Sequence, residues 1–508
     1  MGVAALRAFR AGWVLLLGVL PATAGAQVGY RLRLDTRVQT LSFRGLTADS
    51  VRVTDTVTGP GGGPATADGY AVTCLPGLPY CHFYRAGPAL HGTPIVASAD
   101  LTLWGLGVPG LSARMSARAA GDMSSARLWP GTTPRFQLLE GYLEYARSRL
   151  TARVGRQLAT SRLGYEGFDG GRLLVRDARH GLEADGYLGW GLTNGVALPV
   201  TSPAVNPLGD FQPVRRQIVA GAGAGWSGTW GDLRADYLRE VDPDVHYFVS
   251  ERVGVQAVVR GPVEGLTLQA GSDWDLAAGV WGSAEAALTY VRSRVSATAG
   301  ARRYRPHFAL WTIWGAFSPV PYHAAYALVG VRATHWLDVR ARGERYGYES
   351  SDASTALVSL ESDGWRWELG GTGRLQHGLT VDAGYQAEFG PGASAAGWTG
   401  SVTYAPPANP RLLLTLQGAT LQRPLEFRFD EARLKSLGFN VQADVTPSLR
   451  FGLGGIYYTE NRRRPDALAV DWNQFRLTAS AVLTLGRGAD LRSLPPAVRR
   501  MPSGSGAP

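Results

Sequence analysis

The chain is poor in residues that organise many soluble proteins. Its 508 residues include two cysteines, four methionines and a single lysine, Lys435, and only 18% of residues are charged. Two cysteines cannot staple a disulfide scaffold. The remaining basic residues are all arginine. They are spread along the chain between apolar residues, so a net charge of +10 does not mark a nucleic-acid surface. Past residue 27 no run of about 18–20 apolar residues occurs, which excludes a helical membrane bundle. The usual helix formers give way to Gly, Trp, Tyr, Val and Thr, which excludes a helical solenoid. The eight histidines show no HExxH or HxH spacing and no G-x-S-x-G elbow is present, so no catalytic residue, metal or cofactor is expected.

What the chain does have is 66 glycines, 15 tryptophans, 20 tyrosines and a 45% hydrophobic content, enough to exclude disorder as its main state. Residues 1–26 have the form of a secretory signal. Arg7 and Arg10 precede an apolar stretch from Trp13 to Leu20, Pro21 breaks it, and Ala24-Gly25-Ala26 supplies the small residues of a cleavage site. Export would place Cys74 and Cys81 in an oxidising compartment, where each is the other's natural partner in a disulfide.

The dominant pattern is strict alternation. Tyr30, Leu32, Leu34 and Val38 fall on one face while Arg31, Arg33, Asp35, Arg37 and Gln39 fall on the other. Leu337, Val339 and Ala341 likewise oppose Asp338, Arg340, Arg342 and Glu344, and Trp365, Trp367 and Leu369 oppose Arg366 and Glu368. Period-two alternation is the mark of strands with one apolar and one polar face. It recurs to Leu485, with short connections such as Arg147-Ser148-Arg149, Arg292-Ser293 and Thr446-Pro447-Ser448. Longer ones are expected at 44–94, 120–135, 158–178, 201–213, 305–321, 422–436 and 459–470. Long and short connections at opposite ends describe an up-and-down membrane barrel. Aromatics near strand ends (Trp226, Trp230, Tyr346, Tyr348, Tyr457, Tyr458, Trp472) read as interfacial girdles. A β-sandwich would show domain boundaries about 100 residues apart, a propeller a repeat of about 40–50 residues; neither is present.

The expectation is therefore all-β: a single transmembrane antiparallel barrel over 27–486, counted at 22 strands with 18 or 20 as the other even values, and a disordered periplasmic tail over 487–508. No plug is expected. The segment 44–94 is expected to be the longest external loop.

One stretch resembles a known family. Val154-Gly155-Arg156-Gln157 ends a strand and Gly167-Phe168-Asp169-Gly170-Gly171-Arg172 follows within a short loop. This arrangement is similar to the alginate-export and related substrate-selective porins of Gram-negative outer membranes. The resemblance implies that this region leads into the lumen and that arginine-lined walls favour anionic solutes. Arg156, Asp169 and Arg172 read equally as an ion-paired anchor, with Arg156 and Asp169 holding a constriction loop, and as solute contacts.

The functional expectation is an outer-membrane channel for small polar solutes, with outer-membrane lipid around it and a homo-oligomer left open. The alternatives are a barrel sheathing a partner protein and a rim-located hydrolase; His246, His307, His323 and His335 read as rim residues rather than catalytic ones. Arg on a lipid face would cost about 2–4 kcal/mol at the bilayer midplane, so Arg31, Arg33, Arg37, Arg340, Arg342, Arg366 and Arg374 are expected to line the pore. Asp35, Asp338, Glu344, Glu368 and Asp382 share that face, which leaves room for a lumen of paired charges that selects nothing. Arg153, Arg172 and Arg176, with only Glu166, Asp169 and Asp177 close in sequence, tip the expectation toward anion preference.

Overall fold

A computed structural model describes residues 28–59, 63–70, 72–124, 136–192, 215–244, 249–305, 321–349, 363–390, 393–409, 411–422, 431–463 and 472–487. The expected signal segment 1–26, the expected tail beyond 487, the expected loop 201–213, His246 and His307 lie outside the described residues.

The strands are, in order, β1 (Gly29–Arg52), β2 (Val57–Thr58), β3 (Pro64–Ala65), β4 (Thr73–Cys74), β5 (Tyr80–Gly92), β6 (Pro94–Trp104), β7 (Leu111–Asp122) and β8 (Phe136–Ala146). Then come β9 (Leu150–Ser161), β10 (Gly164–Asp177), β11 (Leu182–Leu192), β12 (Arg215–Ser227), β13 (Gly231–Val241), β14 (Val249–Arg260), β15 (Leu266–Asp275), β16 (Val280–Arg292) and β17 (Val295–Tyr304). The last nine are β18 (Tyr322–Arg332), β19 (Leu337–Tyr348), β20 (Asp363–Arg374), β21 (Leu379–Gly390), β22 (Ala393–Tyr404), β23 (Leu412–Gln422), β24 (Glu431–Thr446), β25 (Leu449–Arg463) and β26 (Trp472–Arg487).

Each of β6 to β26 pairs antiparallel with its neighbour, and β1 closes the ring by pairing β6 on one side and β26 on the other. The closing register runs from Tyr30↔Arg487 to Ser42↔Phe475. β1 and β6–β26 thus form a closed 22-stranded barrel, the even strand number expected. Closure removes the sheet edges that hydrocarbon cannot hydrate. At the end that carries Gly29 and Arg487 the connections are two to seven residues long; at the other they reach 41, between Arg52 of β1 and Pro94 of β6.

The alternation resolves into two surfaces. Val154, Leu173, Leu188, Leu233, Leu268, Val329, Leu369 and Leu437 are exposed on the outside. The opposite parity carries the charges, and register keeps it continuous from strand to strand, as in Arg302↔Ala324↔Tyr346 and Glu344↔Arg366↔Glu388. An apolar exterior around a charged interior is the inverse of a soluble core and suits a transmembrane barrel. Outward aromatics pack in pairs: Trp226–Trp230 at 4.6 Å near the terminal end, and Trp365–Phe389 at 4.7 Å near the loop end.

Three sequence expectations are corrected. The segment 158–178 is not a loop: β9 and β10 form a continuous hairpin from Leu150↔Val175 to Ser161↔Gly164, turning at Arg162-Leu163. Gly170 serves close strand packing, since a Cβ there would collide with the Leu188 carbonyl of β11. The segment 44–94 is not loop throughout either. β1 continues to Arg52 and pairs β5 from Leu41↔Gly92 to Arg52↔Tyr80, raising a ribbon beyond the barrel rim. Cys74 and Cys81 bridge at the head of that ribbon, where β4 meets β5. Finally, Tyr346 and Tyr348 are not girdle residues. They share the parity of Glu344 and stand on the lumen side, with Tyr346 Oη donating to Glu388 at 2.9 Å.

Candidate functional site

The lumen is narrowed by the chain's own hairpin. β9 pairs β8 only from Ala146↔Thr151 to Gly141↔Arg156, after which the two strands part while β10 stays paired with β11 up to Leu192. The departure point is Gly155, whose φ of +128° suits glycine and whose Cβ, if present, would strike the Gly141 carbonyl. Beyond it the hairpin tip reaches the inward faces of strands well round the wall. Arg252 of β14 donates to the Leu163 carbonyl at 2.9 Å, and Arg162 meets Glu285 of β16 at 3.0 Å and Asp273 of β15 at 4.0 Å.

Beneath the tip lies a cluster of buried apolar side chains. Phe168 and Val219 are fully buried together with Ala159, Leu163 and Leu238, and Tyr187 stacks on Phe168 at 5.0 Å. Polar groups at the edge of this cluster are tied in: Gln217 donates to Glu240 at 3.0 Å, Gln157 to the Gly170 carbonyl at 3.1 Å, and Arg252 reaches Glu166 at 3.5 Å. Burial on this scale makes the hairpin a fixed part of the wall rather than a passing contact.

Arg156 and Asp169 stand opposite each other on the other face of the hairpin, in register. Arg156 Nε and Nη2 hold the two carboxylate oxygens at 2.7 and 2.9 Å, and Nη1 donates to the Leu138 carbonyl of β8 at 2.9 Å. The guanidinium thereby spans the gap that β9 opens when it leaves β8. Arg172, three residues on in the same motif, points the opposite way, into the lumen.

The remaining pore residues fall into three settings. On β8–β13, Arg153 pairs Glu144 at 2.5 Å, Arg172 pairs Asp185 at 2.9 Å and Arg176 pairs Glu183 at 2.6 Å, while Arg234 bridges Asp185, Asp236 and Glu183. The expectation that these arginines have few carboxylates nearby is therefore wrong. Their partners come from the neighbouring strand of a hairpin, 7 to 13 residues away in sequence and brought alongside by register.

On β17–β21 the balance tips. Glu344, buried at 4% exposure, accepts from Arg302 at 2.6 Å, Arg366 at 2.7 Å and Arg342 at 3.2 Å. One carboxylate thus serves three guanidinium groups, and the Nε atoms of all three are buried without a partner among the described residues. Arg302 and Arg366 also lie over the rings of Tyr322 and Tyr346 at 5.6 and 5.5 Å. Nearer the terminal end Arg340 is shared by Asp382 (2.7 Å) and Glu368 (3.2 Å), and Arg374 pairs Asp338 at 2.6 Å.

On β1, Arg33 approaches Asp35 at 3.7 Å, whereas Arg31 and Arg37 have no carboxylate partner among the described residues. Arg118 and Arg476, on strands β7 and β26 flanking this sector, hydrogen-bond the neutral Gln137 and Gln474. Of the rim histidines, His323 is exposed on the outside of β18 near the loop end and His335 lies in the turn before β19. No group of metal-ligating side chains occurs among the described residues.

Sequence reading missed Arg118, Arg162, Arg234, Arg252 and Arg302 as lumen residues. For all but Arg162, the parity that placed Arg340 and Arg342 would have found them. The tip position of Arg162 carries no such signal.

No protein-family model matches the chain, and no curated protein sequence does. Among solved structures it is similar to OpdL of Pseudomonas aeruginosa, at 12% identity and a TM-score of 0.40 over 91% of this chain and 99% of that one. It is similar to OpdK of the same organism, solved with vanillate, at 12% identity and 0.39 over 91% and 100%, and to its OprD at 11% and 0.39 over 91% and 97%.

Proposed function

We propose that this protein is an outer-membrane channel for passive passage of small polar solutes, with a preference for anions. The observation that carries the reading is the closed barrel with a water-accessible, charged lumen narrowed by its own hairpin. A wall of fixed charges offers solutes hydrogen bonds in place of water, and a constriction confers selection by size. With the short connections on the periplasmic side, the long connections and the disulfide-bridged ribbon face outward. A hairpin seated in the lumen works against the barrel being a sheath for a partner protein.

Anion preference rests on Arg31 and Arg37 of β1, which have no carboxylate partner among the described residues, and on the three arginines that share the single buried carboxylate Glu344, with Glu368 and Glu388 in the neighbouring register positions. Arg153, Arg172 and Arg176 do not support it, because each is neutralised in place. The test is a reversal potential measured across a planar bilayer in a salt gradient. Discrete channels whose reversal lies on the anion side support the reading; cation preference removes its selectivity, and absence of channels removes it altogether.

A further inference from the structure

On the outside of the barrel, at the loop end of β16–β20, the wall carries a recess of about 650 Å³. Two adjacent outward rungs build it. In the deeper rung Ala286, Ala301 and Ala325 lie side by side across three strands and end at Arg345. In the rung nearer the loops, Arg303 pairs directly with His323, and beyond it Gly347 leaves room for the His323 ring and the Asp363 carboxylate to lean over its backbone. Trp281 closes one flank, with the Arg303 guanidinium 4.9 Å from its ring centre. Small side chains are thus gathered where this exterior elsewhere carries Trp365, Phe389 and Trp398.

The charges at the rim are unevenly committed. Arg303 is held by Glu349, Nε–Oε1 at 2.7 Å and Nη2–Oε2 at 3.2 Å, and that contact keeps the Glu349 carboxyl below its usual range. Arg345 is exposed and has no carboxylate partner among the described residues. Arg305 adds a third guanidinium near Glu349, so three arginines and His323 face two carboxylates, Glu349 and Asp363. An outward arginine is tolerated near an interface, where its cost falls to about 0–1 kcal/mol, and is drawn there by anionic headgroups.

We infer that this recess binds one phosphorylated lipid of the outer leaflet, its phosphate held by Arg345 and His323 beside Arg303 and an acyl chain laid over the alanine floor. The assignment rests on the outer-membrane reading above, which places the loop end at the outer leaflet. The shape argues for a lipid over a free anion: the floor is apolar and would gain nothing from inorganic phosphate.

The test is native mass spectrometry of the full barrel released from detergent and titrated with bis-phosphorylated lipid A, its dephosphorylated form, and inorganic phosphate. The parent is expected to retain one phosphorylated lipid, with about tenfold weaker binding in the Arg345→Ala/His323→Ala double variant, the loss of roughly one charged headgroup contact. Ala325→Trp, which fills the floor, is expected to weaken the lipid as well. Equal retention by the parent and the double variant overturns the inference. Displacement of the lipid by inorganic phosphate, with Ala325→Trp indistinguishable from the parent, overturns the lipid assignment in favour of a bare anion contact. All three substitutions face away from the lumen, so parent and variants are expected to conduct alike, which reports folding. A parent that does not conduct contradicts the channel proposal while leaving the lipid readout intact.

Discussion

Arg156 and Asp169 sit in register on neighbouring strands and form a two-point ion pair, 2.7 and 2.9 Å, where β9 parts from β8. Both side chains are largely buried, and the third arginine donor closes on the Leu138 carbonyl of the strand left behind. Asp169→Asn would leave a buried guanidinium without its counter-charge, a change that costs about 3–5 kcal/mol where a buried pair is broken. The expected result is a lower unfolding temperature in a heat-modifiability assay, together with noisier and larger channel currents as the hairpin loosens.

Gly155 and Gly164 both adopt positive φ, +128° and +118°, but only Gly155 lies against another strand. Alanine at Gly164 meets open space and carries only the conformational penalty, about 1–2 kcal/mol. Alanine at Gly155 adds a collision with the Gly141 carbonyl and is expected to lower the yield of folded barrel well below that of Gly164→Ala, measured on gels of unheated samples.

The selectivity account is two-sided. Replacing Arg31 and Arg37 with Gln removes two uncompensated charges that no packing depends on, so the reversal potential is expected to move toward cations with stability unchanged. Glu344→Gln moves it further toward anions. That variant also strands three guanidinium groups around a neutral side chain and is expected to lose about 3–5 kcal/mol of stability.

The Cys74–Cys81 bridge closes a short loop at the head of the β1–β5 ribbon. Reducing it relaxes that segment by about 2–3 kcal/mol of chain entropy. Single-channel conductance is expected to stay the same, because the ribbon stands beyond the strands that form the lumen; a change in conductance would place this segment over the mouth.

The barrel was legible in the sequence because alternation is a local property. Leu337, Val339 and Ala341 turn outward and Asp338, Arg340 and Arg342 inward whatever the neighbouring strand is. Pairing between strands was not legible. Arg172 finds Asp185 thirteen residues away and Arg302 finds Glu344 forty-two away, distances set by hairpin register that no local pattern encodes. The run from Gly164 to Arg172 misled for a physical reason: its glycines resemble a loop, yet they sit in a strand, and at Gly170 the neighbouring strand approaches too closely for a side chain. The tip contacts of Arg162 and Leu163 with β14–β16 depend on the bend at Gly155, which alternation cannot signal.

The constricting hairpin is the centre of the account, and single-channel conductance of the parent beside an Arg162→Ala/Asp169→Asn variant tests it most directly. The variant removes the tip contact to Glu285 and the anchor at the base together. The account predicts small, discrete steps in the parent and distinctly larger, less steady steps in the variant. Identical steps in the two proteins would show that this hairpin does not limit the pore, and no steps in either would contradict the channel itself.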